Sequence, residues 1–123
     1  MEIQFTNREL DVMAVLWELE SATVAEVRDG LGDDLAYTTV LTILRTLEEK
    51  GYVGHTQEGK AYRYHPAVER ERAGASAVNR IVGKLFRGSP ELLLTHLVED
   101  RDLSTEDLER IKRLLDERLG SEE

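Results

Sequence analysis

Thr38, Thr39, Thr42, Arg45 and Thr46 gather on one side of the stretch Tyr37–Tyr52, YTTVLTILRTLEEKGY, when it is wound at about 100° per residue. Val40, Ile43, Leu44 and Leu47 take the other side, an apolar stripe suited to a core. Threonine is a poor helix former at exposed positions, so four of them beside an arginine point to a face kept for contacts. A threonine hydroxyl bonds a phosphate or a base edge, and its methyl meets the thymine methyl. The arginine fork matches guanine. The chemistry on offer is DNA reading rather than catalysis. A surface helix of awkward composition is the competing reading, and the neighbouring elements bear on the choice.

Those neighbours form a pattern. Thr6 with Glu9, and Thr23 with Glu26, are capping-box spacings that open two helices. The first is expected over Asn7–Glu20, with Leu10, Met13, Ala14 and Trp17 as its core stripe. The second is short, carries Val24, Val27 and Leu31, and ends at Gly32. Its Thr23 end is either a phosphate site or a plain solvated cap. Asp33 and Asp34 make a polar turn, and the third helix runs over about Thr38–Lys50, with Gly51 as its left-handed cap. Two short helices and a tight turn, the second helix bearing the contact face, make a helix-turn-helix. The next runs, YVGHTQ and AYRYH, flank Glu58-Gly59-Lys60 and read as a β-hairpin. A hairpin there is a wing. Lys60 at its tip and Arg63 on its polar side are placed to meet phosphate or the minor groove, while Tyr62 and Tyr64 are expected to pack on the helices.

Helical spacing resumes at Val68 and continues to about Arg87. Gly88-Ser89-Pro90 then supplies a stop, an N-cap and a first-turn proline. Helices over about Pro90–Val98 and from Ser104 to about Leu119 complete the chain. These three helices carry more large aliphatics than a lobe of this size buries by itself. The expected remedy is a homodimer closed through Val78, Ile81, Leu85, Leu93, Leu97, Leu108, Ile111 and Leu115. A lobe packed on its own wing domain is the alternative. A two-fold dimer would offer two reading helices to half-sites about 34 Å apart, or a multiple of that, on a pseudo-palindromic operator. The fold class is mainly α with a minor β part. A winged helix-turn-helix with a two-stranded wing spans 1–66, and a three-helix dimerisation region spans 67–123.

Composition sets the bounds. The 123 residues are 41% apolar and 33% charged, with a net charge of −9. That total opposes nucleic-acid binding, but its distribution does not. Residues 1–36 hold nine acids against two bases, and residues 66–123 thirteen against ten; residues 37–65 hold three acids against four bases. The one stretch that is not acidic is the one read as DNA-facing. There is no cysteine and only three scattered histidines, His55, His65 and His96. With no phosphate-cradling glycine loop or metal spacing, the chain reads as no enzyme, with no metal and no cofactor. No run of roughly 18 apolar residues and no basic-then-apolar leader is seen, so a cytoplasmic location without membrane contact is expected.

TNRELDVMAVLWE at Thr6–Glu18, TVAEV at Thr23–Val27, YTTVLTILRTLEEKGYV at Tyr37–Val53, GKAYRYHP at Gly59–Pro66 and LVEDRDLSTEDLERIKRLL towards the end resemble, in order and over nearly the whole chain, the penicillinase-repressor family of BlaI/MecI/CopY-type regulators. The resemblance implies a winged-helix transcriptional repressor that holds double-stranded operator DNA through its N-terminal half and dimerises through its C-terminal helices. It puts Thr39, Thr42 and Arg45 in the reading helix and Gly59, Lys60 and Tyr62 in the wing. It also implies a sensor protease as partner, which in the best-known members cuts an Asn-Phe bond; here His96-Leu97 stands at that place. The family pattern often has a basic residue where this chain has Thr46. The copper-responsive branch has a cysteine-rich tail, and without cysteine this chain cannot sense copper by thiolates. Two other classes stay open: a winged-helix protein–protein adaptor, and a winged-helix regulator of another class that senses a small ligand.

Overall fold

The computed structural model describes residues 3–32 and 34–121. Asp33, half of the expected polar turn, lies outside them. The elements run α1 (Asn7–Leu19), β1 (Ala22–Thr23), α2 (Val24–Leu31), α3 (Tyr37–Glu49), β2 (Val53–Glu58), β3 (Ala61–Pro66), α4 (Arg70–Lys84), α5 (Pro90–Val98) and α6 (Thr105–Ser121). The chain divides into two compact units, Met1–Val78 and Asn79–Glu123.

In the first unit, local signals set the helix starts. The Thr6 side chain accepts from the Glu9 N–H, and the Glu9 carboxylate accepts from the Thr6 N–H; Thr23 and Glu26 repeat the arrangement at α2. Gly32 and Gly51 both follow helices with positive φ, as left-handed caps require. Val40, Leu44 and Leu47 of α3 are fully buried against Val12, Met13 and Leu16 of α1 and Val24 and Val27 of α2.

α1 turns inward a face that only partly overlaps the one its apolar spacing predicts: Met13 is buried and Trp17 packs against the core. Glu9, Val12, Met13 and Leu16 are its buried residues, whereas Leu10 and Ala14 are exposed. Both stripes have the same i, i+3, i+4, i+7 spacing. The one that wins begins with a carboxylate, and burying it is tolerable because Lys50 reaches it from the end of α3. Trp17 is half-buried: its indole N–H donates to the Val68 carbonyl at 2.9 Å, and Phe5 meets its ring edge-on.

The hairpin closes through a two-residue turn, Gly59-Lys60, with Glu58 opposite Ala61 and Gly59 at φ +64°. β3 is the middle strand of a three-stranded antiparallel sheet, order β1-β3-β2, because Ala22 and Thr23 pair with Tyr64 and Arg63. The sequence reading had only the two wing strands. A two-residue strand carries no period of its own and exists only because β3 offers it an edge. Tyr64 is buried in the core as expected, but Tyr62 is exposed.

The second unit is built from the C-terminal part of α4, α5 and α6. Ser89 caps α5 with Pro90 at its first position, and Ser104 and Asp107 form reciprocal bonds at the start of α6. α4 begins two residues later and ends three residues earlier than the spacing alone suggests. Arg87 and Gly88 both take positive φ, which helical backbone excludes. No residue described between 79 and 120 is buried.

Candidate nucleic-acid interface

α3 presents Thr38, Thr39, Thr42 and Arg45 fully to the outside of the first unit, with Thr46 half-exposed beside them. Two of the hydroxyls are already spent as donors. Thr42 Oγ1 donates to the Thr38 carbonyl at 2.9 Å, and Thr46 Oγ1 donates to the Thr42 carbonyl at 3.0 Å. This back-bonding is the usual way a helix accommodates threonine. It leaves the face rich in methyl groups and hydroxyl lone pairs, with Arg45 as its cation.

The N-terminus of α3 differs from those of α1 and α2. Its cap residue is Ala36, which gives no side-chain bond; Thr39 and Val40 donate to the Ala36 carbonyl, and the Tyr37 and Thr38 N–H groups are left for another acceptor. By contrast, the Thr23 end of α2, one candidate for holding a phosphate, is closed by its own capping box with Glu26.

The wing stands directly after α3. Alternation along β2 and β3 puts His55, Gln57, Tyr62 and Tyr64 on one face and Gly54, Thr56, Glu58, Arg63 and His65 on the other. On the first face, His55 Nδ1 lies 2.6 Å from the Glu48 carboxylate, and its ring is 4.6 Å from Tyr62 and 5.5 Å from Tyr64. Burial raises the pKa of the Tyr64 hydroxyl. The Glu48 contact braces the last turn of α3 against β2. On the second face, His65 lies over Gly54: a Cβ there would come within 2.8 Å of its Nε2. The two histidines therefore sit on opposite faces, and among the described residues no three His, Cys, Asp or Glu side chains converge as a metal site.

Lys60 is exposed at the turn. Arg63 is held instead. Its Nε donates to Glu58 Oε2 at 2.6 Å, and its Nη1 lies 3.2 Å from Glu26 Oε1. The Glu58 bond keeps the Arg63 pKa above its ordinary value and the Glu58 pKa below its own. Sequence reasoning named Arg63 as a contact residue and missed both its carboxylate partners. Glu26 was recognised only as a cap. Reading the face alternation through to Glu58 would have found the second.

A family model described as penicillinase repressor matches residues 5–117. The chain belongs to that family. Among curated relatives, the methicillin resistance regulatory protein MecI of Staphylococcus aureus (strain N315) is 21% identical over 117 residues, covering 94% of this chain and 95% of that protein. The penicillinase repressor of Bacillus licheniformis is 25% identical over 116 residues, covering 93% and 91%. The transcriptional regulator BlaI of Mycobacterium tuberculosis (strain H37Rv) is 37% identical over 92 residues, 72% of this chain and 67% of that one. One of these relatives is a repressor by name, one a transcriptional regulator and one a regulatory protein, and the winged-helix fold agrees. The DNA-binding domain of the repressor BlaI superposes with a TM-score of 0.51 at 31% identity, over 57% of this chain and 90% of that domain. A MarR protein from E. coli covers 94% of this chain and 79% of its own with a TM-score of 0.54; at 16% identity this is a likeness of fold.

Proposed function

We propose that this member of the penicillinase-repressor family is a sequence-specific transcriptional repressor, not an enzyme, that binds a pseudo-palindromic operator as a homodimer in the cytoplasm. The observation that carries the reading is the outward face of α3. Thr38, Thr39, Thr42 and Arg45 are exposed on the first unit next to an uncapped helix N-terminus and a wing tipped by Lys60. Thr46, Lys60 and Arg63 complete the proposed contact set. In this reading α3 enters the major groove, the threonine methyls and Arg45 read base edges, and α3's free N–H groups and Lys60 meet phosphates.

The dimer part rests on the second unit together with Val78, the residue just before it. Val78, Ile81, Leu85, Leu97, Leu108 and Leu115 are between 38% and 70% exposed. Leu93 and Ile111 are half-buried. So much aliphatic surface on three short helices is what a second copy would cover. The proposed division of labour assigns DNA to 1–66 and dimerisation to 67–123, while the compact units meet within α4, at Val78 and Asn79. His96 and Leu97 are both exposed on α5, where a sensor protease of the family kind would have to unwind a helical turn to reach them.

Fluorescence anisotropy on a duplex from upstream of the chain's own gene and on a random duplex, titrated with salt, tests the reading. A repressor prefers the first duplex at every salt concentration. Equal binding to both at low ionic strength rejects operator recognition and favours a protein–protein adaptor.

A further inference from the structure

Arg63 sits opposite Thr56 on one side and Thr23 on the other, and its guanidinium is shared between two carboxylates of unequal standing. Glu26 is fixed. It accepts the Thr23 N–H at 2.9 Å as part of the α2 capping box while also meeting Arg63 Nη1 at 3.2 Å. Ser21 Oγ, 3.5 Å from the same nitrogen, closes that side. Glu58 is the last residue of β2, beside the Gly59-Lys60 turn, with its side chain 61% exposed. It bonds the opposite, Nε edge of the guanidinium at 2.6 Å. An exposed ion pair of this kind contributes little and exchanges readily. A DNA phosphate offers that edge the same anionic oxygens that Glu58 does.

We infer that Glu58 is a specificity-determining residue, an intramolecular substitute for phosphate that competes with DNA for Arg63. The inference rests on the operator-binding reading. On random DNA, a phosphate that takes Arg63 merely replaces one exposed ion pair with another, and the exchange gains little. On operator, base contacts from α3 hold the wing against the backbone, so the phosphate is presented at high effective concentration and Glu58 yields. Glu26 keeps Nη1 anchored throughout, so the freed edge stays aimed. Glu58 thereby weakens binding everywhere but weakens it most where the helix finds no matching bases.

The test uses the full chain as wild type, Glu58→Gln, Arg63→Gln and the double variant. Each is titrated against the upstream duplex and a random duplex between 50 and 200 mM salt. Glu58→Gln should tighten random DNA more than the upstream duplex. It should also steepen the salt slope on random DNA by about 0.9, the signature of one added phosphate contact, which is roughly a threefold larger loss across that salt range. In the Arg63→Gln background the same change should add nothing. An equal gain with and without Arg63 would mean that Glu58 acts only as a repelling charge, and the inference fails. Glu58 is exposed, so its variant folds, and an unchanged slope on random DNA overturns the inference even if Arg63→Gln does not fold. A wild type with no preference for the upstream duplex defeats the operator reading instead.

Discussion

Lys50 Nζ donates to both carboxylate oxygens of Glu9, at 2.9 and 2.8 Å, and so ties the C-cap of α3 to the first turn of α1. The Glu9 side chain is only 5% exposed, whereas Lys50 is 39% exposed. Burial pushes the Glu9 carboxyl up, but the Lys50 bond and then the Thr6 N–H pull harder, and it ends below its ordinary 4.5. A group whose folded pKa is lowered contributes stability that is fully present above 4.5 and is lost as pH falls through the folded value. Lys50→Met leaves a buried carboxylate without its cation and should cost about 2 kcal/mol at neutral pH, reduced from the fully buried case by the solvated lysine end. Urea midpoints of both proteins measure this. The gap between them should narrow as the pH is taken below 4.5. A gap that stays constant there would mean the pair is not its source.

Arg45 is the single cation on the outward face of α3. If it reads guanine, Arg45→Ala should lose about 1–3 kcal/mol on the upstream duplex and much less on random DNA. Equal losses on both would reassign it to phosphate.

Thr42 offers a sharper distinction, because its hydroxyl already donates to Thr38. Thr42→Val keeps the methyl group and replaces the hydroxyl with a second one, and should bind the upstream duplex nearly as well as wild type. Thr42→Ala removes a methyl and should bind about fourfold more weakly, the equivalent of about 0.8 kcal/mol for one buried carbon. The opposite order would show that the hydroxyl is rotated away from Thr38 to do the reading. Anisotropy titrations decide between them.

Leu115 is 48% exposed on α6 and belongs to the proposed dimer stripe. Leu115→Asp should shift the species towards monomer in sedimentation velocity. It should weaken binding to a full palindrome while sparing a half-site. A dimer that persists places the interface elsewhere.

Much of this was legible in the residues. Caps, Gly51, the hairpin turn and the two faces of α3 are short-range signals, readable within a few positions, and each appears where its spacing puts it. Three of the failures share one cause. The inward face of α1 was partly misjudged because a glutamate at its head is buried only by virtue of Lys50, which lies 41 residues away. β1 was missed because its pairing partner is equally remote. Arg63 was found, but its captivity was not, because Glu26 and Glu58 approach it from different elements. Periodicity reports what a segment wants to hide. It says nothing of which charge another segment will supply.

Glu9 and Glu26 each perform two tasks with one carboxylate: they help to start a helix by accepting from Thr6 or Thr23, and they greet a cation arriving later in the chain, Lys50 or Arg63. The opening of each helix and its address in the finished molecule are therefore written in the same atoms. Glutamine would preserve the opening and erase the address. Drift at either position is constrained twice over, and during folding the early helices are prepared for visitors not yet in place.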